Sequence, residues 1–293
     1  MLEMVLESLV HLKVPEKTDV QMILCDNGSL RETKEIVQGF EKRLPFKVIF
    51  LKEEATGIVY MRNRILEKAI NIGAAFLAFL DDDEEVDQNW LVRLDQVRVK
   101  FSAQVVQGNV QQQFPVVPNL DLLTKFFPGS FDKNTGDELN DAYTNNVLFD
   151  LSLVRLHGLR FNNRFNLTGG SDSFFFSQLK EKGARIVFAK DAVVTETIPI
   201  SRANIEWVLF RFYRNGYTKY LMDVQRLGKL VAFRRAIKTV YKAFKECAFN
   251  KKTTAMQPQD ESILLQKKCL RAKGTFHALM GIPFTEYDVI HGD

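Results

Sequence analysis

The sequence predicts an α/β protein, with a mixed, mostly parallel sheet flanked by helices and a helical C-terminal region. Three observations predict it. Short apolar strand-like segments alternate with segments of helical period over the first 80 residues, and such alternation implies parallel strands joined by helices. Two strand candidates end abruptly in polar sequence, Asp26-Asn27-Gly28-Ser29 and Asp81-Asp82-Asp83-Glu84-Glu85. In such sheets ligands bind beyond the carboxyl ends of the strands. From Ser201 onward the pattern is helical.

In order, Leu2, Val5, Leu6, Leu9 and Val10 recur at helical spacing, so the chain opens in a helix. A buried strand follows at residues 20–25, a helix at 31–43, a strand at 46–51, a helix at 57–71 and a strand at 75–80, separated by short polar or glycine-containing turns. After Gln113, Pro115, Pro118 and Pro128 and a polar loop at 132–141 break the regularity, which reads as a lid or acceptor-side segment. A strand at 145–149, a helix at 172–182 and two short strands at 185–189 and 192–196 resume the pattern. This divides the chain into a first half at 1–113, a second at 114–200 and a helical region at 201–293.

Composition narrows the class. Of 293 residues, 46% are hydrophobic and 26% charged, as in an ordinary globular protein. A net charge of +4 is too small to imply nucleic-acid binding, although residues 226–252 are strongly basic. Cys25, Cys247 and Cys269 are odd in number and never in C-x-x-C spacing, so neither a disulfide framework nor a zinc site is expected, and a reducing cytoplasm fits. The longest apolar run, 72–80, is too short to cross a bilayer. The opening MLEMVLESLVHL carries Glu3 and Glu7 in place of a basic n-region, so no secretory signal is expected. His11, His157, His277 and His291 cluster nowhere and receive no chemistry. Gly57 and Gly169-Gly170 lack the G-x-G-x-x-G context of a dinucleotide site.

The sharpest local signal is AFLAFLDDDEEVDQNWL, an apolar strand ending in carboxylates. A nucleotide diphosphate needs a divalent cation across its oxygens, and Mg²⁺ or Mn²⁺ takes a few hard carboxylate ligands while keeping waters or phosphate oxygens. Asp81 and Asp83, two apart at a strand end, suit that task. The plainer alternative is an acidic turn capping a helix that begins near Gln88. Glu84 and Glu85 read as solvated.

Strand 20–25 ending in CDNGS, then TGIVYMRNRILEKA, then FLAFLDDDEEVDQNWL resemble, in order and spacing, consecutive blocks of family 2 glycosyltransferases of the GT-A type. The resemblance implies that Asp26 and Asn27 lie at the donor base, that Gly57, Arg62 and Arg64 lie by the diphosphate, and that Asp81, Asp82 and Asp83 form the D-x-D motif, with Asp81 and Asp83 on the metal. FNLTGGSDSFFFSQLKEKGARIVFAKDAVVTE resembles the acceptor-side GGED block, with Gly169, Gly170 and Ser171 preceding Asp172. Ser171 stands where the family usually has Glu. An inverting transfer needs a base for the acceptor hydroxyl, and Asp172 is the candidate; capping of the following helix by Ser171 or Asp172 is the alternative. Where relatives often carry a metal-binding histidine, VVTETIP offers Glu196, a candidate extra ligand or an exposed strand-end glutamate.

WVLFRFYRNGYTKY, with Arg211 and Arg214, resembles the family's arginine-rich segment, either holding phosphate through guanidinium contacts or packing as an amphipathic helix. Next, Lys229, Arg234, Arg235, Lys238, Lys242 and Lys245 interleave with Leu230, Val231, Phe233, Ile237, Val240, Tyr241 and Phe244. That helix either lies on anionic lipid or packs on the domain with a cationic outer face. The expected location is cytoplasmic, with a peripheral place on the inner membrane face if the helix takes lipid. Family members begin with a strand ending in a sequence like PTYNR, and this chain starts after it; the persistence of Asp26, Asp81, Asp83 and Asp172 favours a start assigned too late over a degenerate protein. The resemblance implies inverting, non-processive transfer of a sugar from a nucleotide diphosphate donor to a glycan or glycolipid acceptor, in bacterial surface glycan assembly. The absence of Q-x-x-R-W and of membrane helices favours the non-processive form. The competing reading is a non-catalytic nucleotide-sugar or lipid-binding protein on a truncated scaffold. A nucleotidyltransferase ranks last for want of a glycine-rich phosphate loop.

Overall fold

The structure, a computed structural model, describes residues 1–28, 30–129, 133–248 and 258–285. Ser29 and His291, named above, lie outside them, as do residue 132 of the polar loop and residues 249–252 of the basic segment. The chain forms two compact units. The first comprises Met1–Gln113, Gly129–Asn166 and Ser171–Thr197, the second Phe114–Pro128, Leu167–Gly170 and the chain from Ile198 onward.

The first unit follows the expected alternation: α1 (Leu2–Val10), β1 (Gln21–Asp26), α2 (Leu30–Phe40), β2 (Lys47–Lys52), α3 (Ile58–Asn71) and β3 (Phe76–Leu80). The Leu2/Leu9 stripe of α1 turns Val5, Leu6 and Leu9 into the core, as its spacing requires. Then come β4 (Glu84–Val86), α4 (Trp90–Phe101), β5 (Val105–Gln113), β6 (Asn146–Asp150), α6 (Ser152–His157), α7 (Ser171–Glu181) and β7 (Ile186–Thr197). The second unit holds α5 (Leu120–Phe126), α8 (Ile205–Leu227), α9 (Lys229–Ala248) and α10 (Pro258–Leu279).

The sheet is mixed, as expected, with the longer ladders parallel and the shorter ones antiparallel. β1–β2 and β5–β7 pair in parallel, whereas β3–β6, β5–β6 and β4–β7 run antiparallel. Parallel neighbours need a crossover helix, which links β1 to β2; β4 and β6 enter without one. The ladders also fall into two sets, β1-β2 and β3-β6-β5-β7-β4. One edge of β1 and one edge of β3 therefore carry no strand among the described residues. Their side chains show the consequence, since no residue of β1 is fully buried, whereas five of the first six in β5 are.

The two strands expected at 185–189 and 192–196 are one, β7. It pairs with β5 throughout, with a register shift at Gly108/Asn109 that produces the apparent break. Asn146 fills that irregularity. Its Nδ2 donates to the carbonyls of Asn109 and Ala192, its Oδ1 accepts from the Trp90 indole at 2.7 Å, and a Cβ on Gly108 would lie 2.3 Å from it.

The many phenylalanines are explained by the core between β3, β6 and α7. Phe161 stacks on Phe175 with centroids 4.2 Å apart, and Phe149 meets Phe79, Phe175 and Phe176. Rings packed edge-to-face or offset add to their area burial. α7 packs Phe175 and Phe176 into this core, which anchors its first turns.

Among the described residues no helix is long and apolar enough to cross a membrane. Cys25 is a free thiol, whereas Cys269 in α10 is disulfide-bonded. The expectation of no disulfide is thereby corrected, and with it goes the support that cysteine spacing lent to a reducing compartment.

Candidate active site

The loop after β3 carries the acidic run, and the structure rules out its capping role. The short strand β4 intervenes before α4, and the residue capping α4, Asn89, makes no side-chain cap bond. Asp82 is exposed, whereas Asp81 and Asp83 are half-buried. Burial pushes the Asp81 carboxyl up to about 7, against the opposing pull of Arg62 and with the help of Asp83, Asp82 and Asp172. Those influences identify Asp81's neighbours. Residues from the β3–β4 loop, α3 and the start of α7, up to 110 positions apart in the chain, act on one carboxylate.

Arg62 is the link. Its Nη1 donates to Ser171 Oγ at 2.8 Å, and its guanidinium lies 5.9 Å from the centre of the Phe161 ring. Ser171 is fully buried. Ser171 stands where the family usually has a glutamate, so a neutral hydroxyl accepts from Arg62 here, and the arginine's charge acts on Asp81. Asp172 is half-buried in the first turn of α7 and takes the amide of Ser173 on Oδ1 at 2.8 Å.

Arg64 is not brought to these carboxylates. It forms an i,i+3 ion pair with Glu67 at 3.5 Å, with both side chains about half exposed. Burial and Glu53 push the Cys25 thiol up to about 11 while Arg64 pulls it down, which places Arg64 beside the end of β1. Two positions along a helix are about 200° apart around its axis, so Arg62 and Arg64 serve different ends of the site.

At that end Asp26 shapes its own turn. Oδ1 accepts the Gly28 amide at 2.6 Å and Oδ2 accepts the Thr33 hydroxyl. Asn27 Nδ2 donates to the Ala55 carbonyl at 2.7 Å, tying this loop to the one preceding α3. Gly57, which caps α3, has φ +124°, and a Cβ there would lie 2.1 Å from Asn166 Nδ2. Asn166 in turn accepts the Val59 amide and donates to the Thr56 carbonyl. Gly57→Ala is therefore expected to destabilise the protein by about 1–3 kcal/mol, through a backbone region open to glycine alone, as read by urea unfolding. Asn166→Ala in the same chain should not restore it, because the strain in φ remains.

Glu84 corrects the sequence reading most sharply, since it is 1% exposed. It shares a face with buried Val86 and stands opposite Glu196 in the β4–β7 register. Asn145 Nδ2 donates to Glu84 Oε1 at 3.2 Å, while Glu84 Oε2, Asn145 Oδ1 and the neighbouring Thr144 Oγ1 are buried without a hydrogen-bond partner. Burial first, then Asp81, Glu196 and Asp83, push Glu84 up to about 10. A raised carboxyl costs stability as pH climbs from the unfolded value of 4.5 towards about 10, because the unfolded chain ionises there first. Glu84→Gln in chelator-treated protein is thus expected to raise the unfolding midpoint, with the gain growing from pH 5 to pH 9. An unchanged difference across that range would show Glu84 ionised in the fold. The signal sequence reasoning missed was the period of two, which puts Glu84 and Val86 on one side of a strand.

Among the described residues no three His, Cys, Asp or Glu side chains form a ready cage for a metal ion. Crowded carboxylates, with Glu84 Oε2 buried and lacking a donor among the described residues, nonetheless suit a cation that takes only part of its shell from protein. Mg²⁺ does so when it binds through one or two carboxylates and phosphate oxygens. Asp81 and Asp83 fit that role. Glu196 lies beside Glu84.

In the second unit Gly169 and Gly170 adopt φ +73° and +85°. A Cβ on Gly170 would lie 2.2 Å from Thr218 of α8. The Arg211 guanidinium stacks over Trp207 at 5.1 Å, and Arg214 is half-buried one turn further along α8. Tyr213 Oη lies 2.9 Å from His277 Nδ1.

A carboxylate cluster at the end of β3 is thus faced by an arginine from α3 and a carboxylate opening α7, on a mixed sheet with flanking helices. The model of glycosyl transferase family 2 matches residues 1–166, more than half of the chain. The chain belongs to that family. It is 31% identical over 214 residues to the succinoglycan biosynthesis protein ExoM of Rhizobium meliloti (strain 1021), covering 73% of this chain and 68% of that one. It is 26% identical over 195 residues to the minor teichoic acid biosynthesis protein GgaA of Bacillus subtilis (strain 168), covering 60% of this chain but only 40% of that one. Among solved structures, S. aureus TarS 1-349 in complex with UDP superposes with a TM-score of 0.53 at 14% identity, covering 97% of this chain and 88% of that one, a likeness of fold.

Proposed function

We propose that this family 2 enzyme transfers one sugar from a nucleoside diphosphate donor to an acceptor hydroxyl, with inversion and without processivity, in the assembly of a bacterial surface glycan. The observation that carries the reading is the convergence of Asp81, Asp83, Arg62 and Asp172 on one point of the first unit. The succinoglycan and teichoic acid relatives support the surface-glycan setting, and the UDP complex of a protein of the same fold supports a nucleotide donor.

Asp172 takes the proton of the acceptor hydroxyl as its oxygen attacks the anomeric carbon. Its place in the first turn of α7, on the phenylalanine core, fixes that carboxylate against the reacting centre. Arg62 holds the start of α7 through Ser171 and presents positive charge where the diphosphate leaves. Asp26 and Asn27 shape the loop that receives the base, and Gly57 lets the start of α3 come close to the diphosphate. Asp81 and Asp83 would hold Mg²⁺ or Mn²⁺, with Asp82 exposed beside them and Glu196 the candidate for a further ligand. A divalent ion there supplies neutralisation of the leaving group's charge. Gly169, Gly170, Arg211 and Arg214 are assigned to the acceptor or phosphate side, and the acceptor is a glycan or glycolipid.

Thermal unfolding with and without Mn²⁺, against nucleoside diphosphates and their sugars, tests this, because a specific ligand raises the midpoint by mass action. A metal-dependent shift with one nucleotide, together with turnover of its sugar, is the expected result. The division of the sheet between β1 and β3 favours the second reading, a non-catalytic nucleotide-sugar or lipid-binding protein. That reading requires binding without turnover.

A further inference from the structure

The helix α9 is packed the reverse of a helix that merely covers a core. Its inward face is Ala232, Ala236 and Ala243, all buried. Its large apolar residues point outward: Leu230 is 63% exposed, Phe233 48%, Ile237 47%, Tyr241 65% and Phe244 69%. At spacings of three and four these five form one stripe, roughly 21 Å long at 1.5 Å per residue. An apolar patch of that extent marks an interaction surface.

Along one flank of the stripe run Arg234, Lys238, Lys242 and Lys245, all exposed. Lys238 and Lys242 also line a cavity of about 440 Å³ between α8, α9 and α10, with Lys219, Arg235, Lys268 and Arg271. Against these six cations the lining has two acids, Asp223 and Glu246. Asp223 is shared by Lys219 at 2.8 Å and Arg235 at 3.3 Å, and Glu246 by Lys268 at 2.8 Å and Lys242 at 4.0 Å. Lys238 and Arg271 have no acidic partner within ion-pair distance among the described residues.

We propose that the α9 face is a docking surface for an anionic phospholipid membrane, in which the stripe enters the acyl boundary and the flanking Arg234, Lys238, Lys242 and Lys245 meet the headgroup phosphates. Charge complementarity selects this occupant. A second copy of the same face would set like charges against one another, whereas an anionic bilayer offers an apolar layer beneath a negative one, in the arrangement that α9 and its flank present. The inference does not rest on sugar transfer, and vesicle binding is measured without turnover.

The test is co-sedimentation of the full chain with vesicles of phosphatidylcholine alone and of phosphatidylcholine mixed with phosphatidylglycerol. The protein is expected to sediment with the mixed vesicles only, and less so as salt rises. The double variant Phe233→Ser/Phe244→Ser and, separately, Lys238→Glu should each weaken that binding at least about tenfold. Their unfolding midpoints should stay at that of the parent, since these side chains are exposed. No binding to mixed vesicles overturns the proposal, as does parent-like binding by the folded variants. Inorganic phosphate binding without vesicle binding also overturns it, as would a dimer in sedimentation velocity that Phe233→Ser/Phe244→Ser dissociates.

Discussion

Replacing Asp172 by Asn is expected to lower sugar transfer by about 10²–10⁴-fold while nucleotide binding, read as the thermal shift, stays at the level of the parent. The substitution keeps shape and retains an oxygen for the Ser173 amide, so the first turn of α7 is preserved. What is lost is a group able to accept a proton. The change should therefore fall on the chemical step, with the Michaelis constant for the donor little altered. Parent-like turnover would remove Asp172 from the role of base and return it to that of a residue opening a helix. Arg62→Ala is the informative companion, since it releases Ser171 and removes positive charge from beside Asp81. It is expected to impair both nucleotide binding and turnover.

The second large effect is expected at Asp81 and Asp83. Either residue changed to Ala should lower transfer by about 10²–10³-fold, as for loss of one preorganised electrostatic contact to a developing charge, and should abolish the Mn²⁺-dependent thermal shift. In chelator-treated protein the sign is opposite. Asp81 sits among Asp82, Asp83, Asp172 and Glu84, and its raised proton affinity shows that its charge is costly to the fold. Asp81→Ala is thus expected to unfold at a higher temperature than the parent when no divalent ion is present. Activity lost with stability gained is the signature of charges gathered for function. Loss of both together would mean that the acidic loop holds the fold, and the metal assignment would fail. Arg64→Ala, at an exposed ion pair, should leave stability within about 0.5 kcal/mol of the parent in the same assays.

Much of this was readable from residue order. The alternation of period-two and period-3.6 segments placed α1, β1, α2, β2, α3 and β3 to within a few residues, because a local pattern of apolar positions determines which face of an element is buried. The abrupt passage from FLAFL to DDD marked a strand end rich in carboxylates, for no apolar strand continues through three aspartates. Spacing of the blocks was enough to name the family. Phe content pointed to no site, yet it turned out to build the support beneath α7.

Tertiary structure decided what depends on partners remote in the chain. The pairing of Arg62 with Ser171 spans 109 positions, and the antiparallel entry of β6 between β3 and β5 has no local signature. Glu84 looked like one more solvated acid until the strand it begins paired with β7 and turned it inward. The direction of α9 was equally open, since its sequence offers both a small-residue face and a large apolar one, and either could have faced the neighbouring helices. Periodicity encodes the faces an element has. Which face is buried, and which charges end side by side, follows only from the surfaces that meet it when distant segments pack.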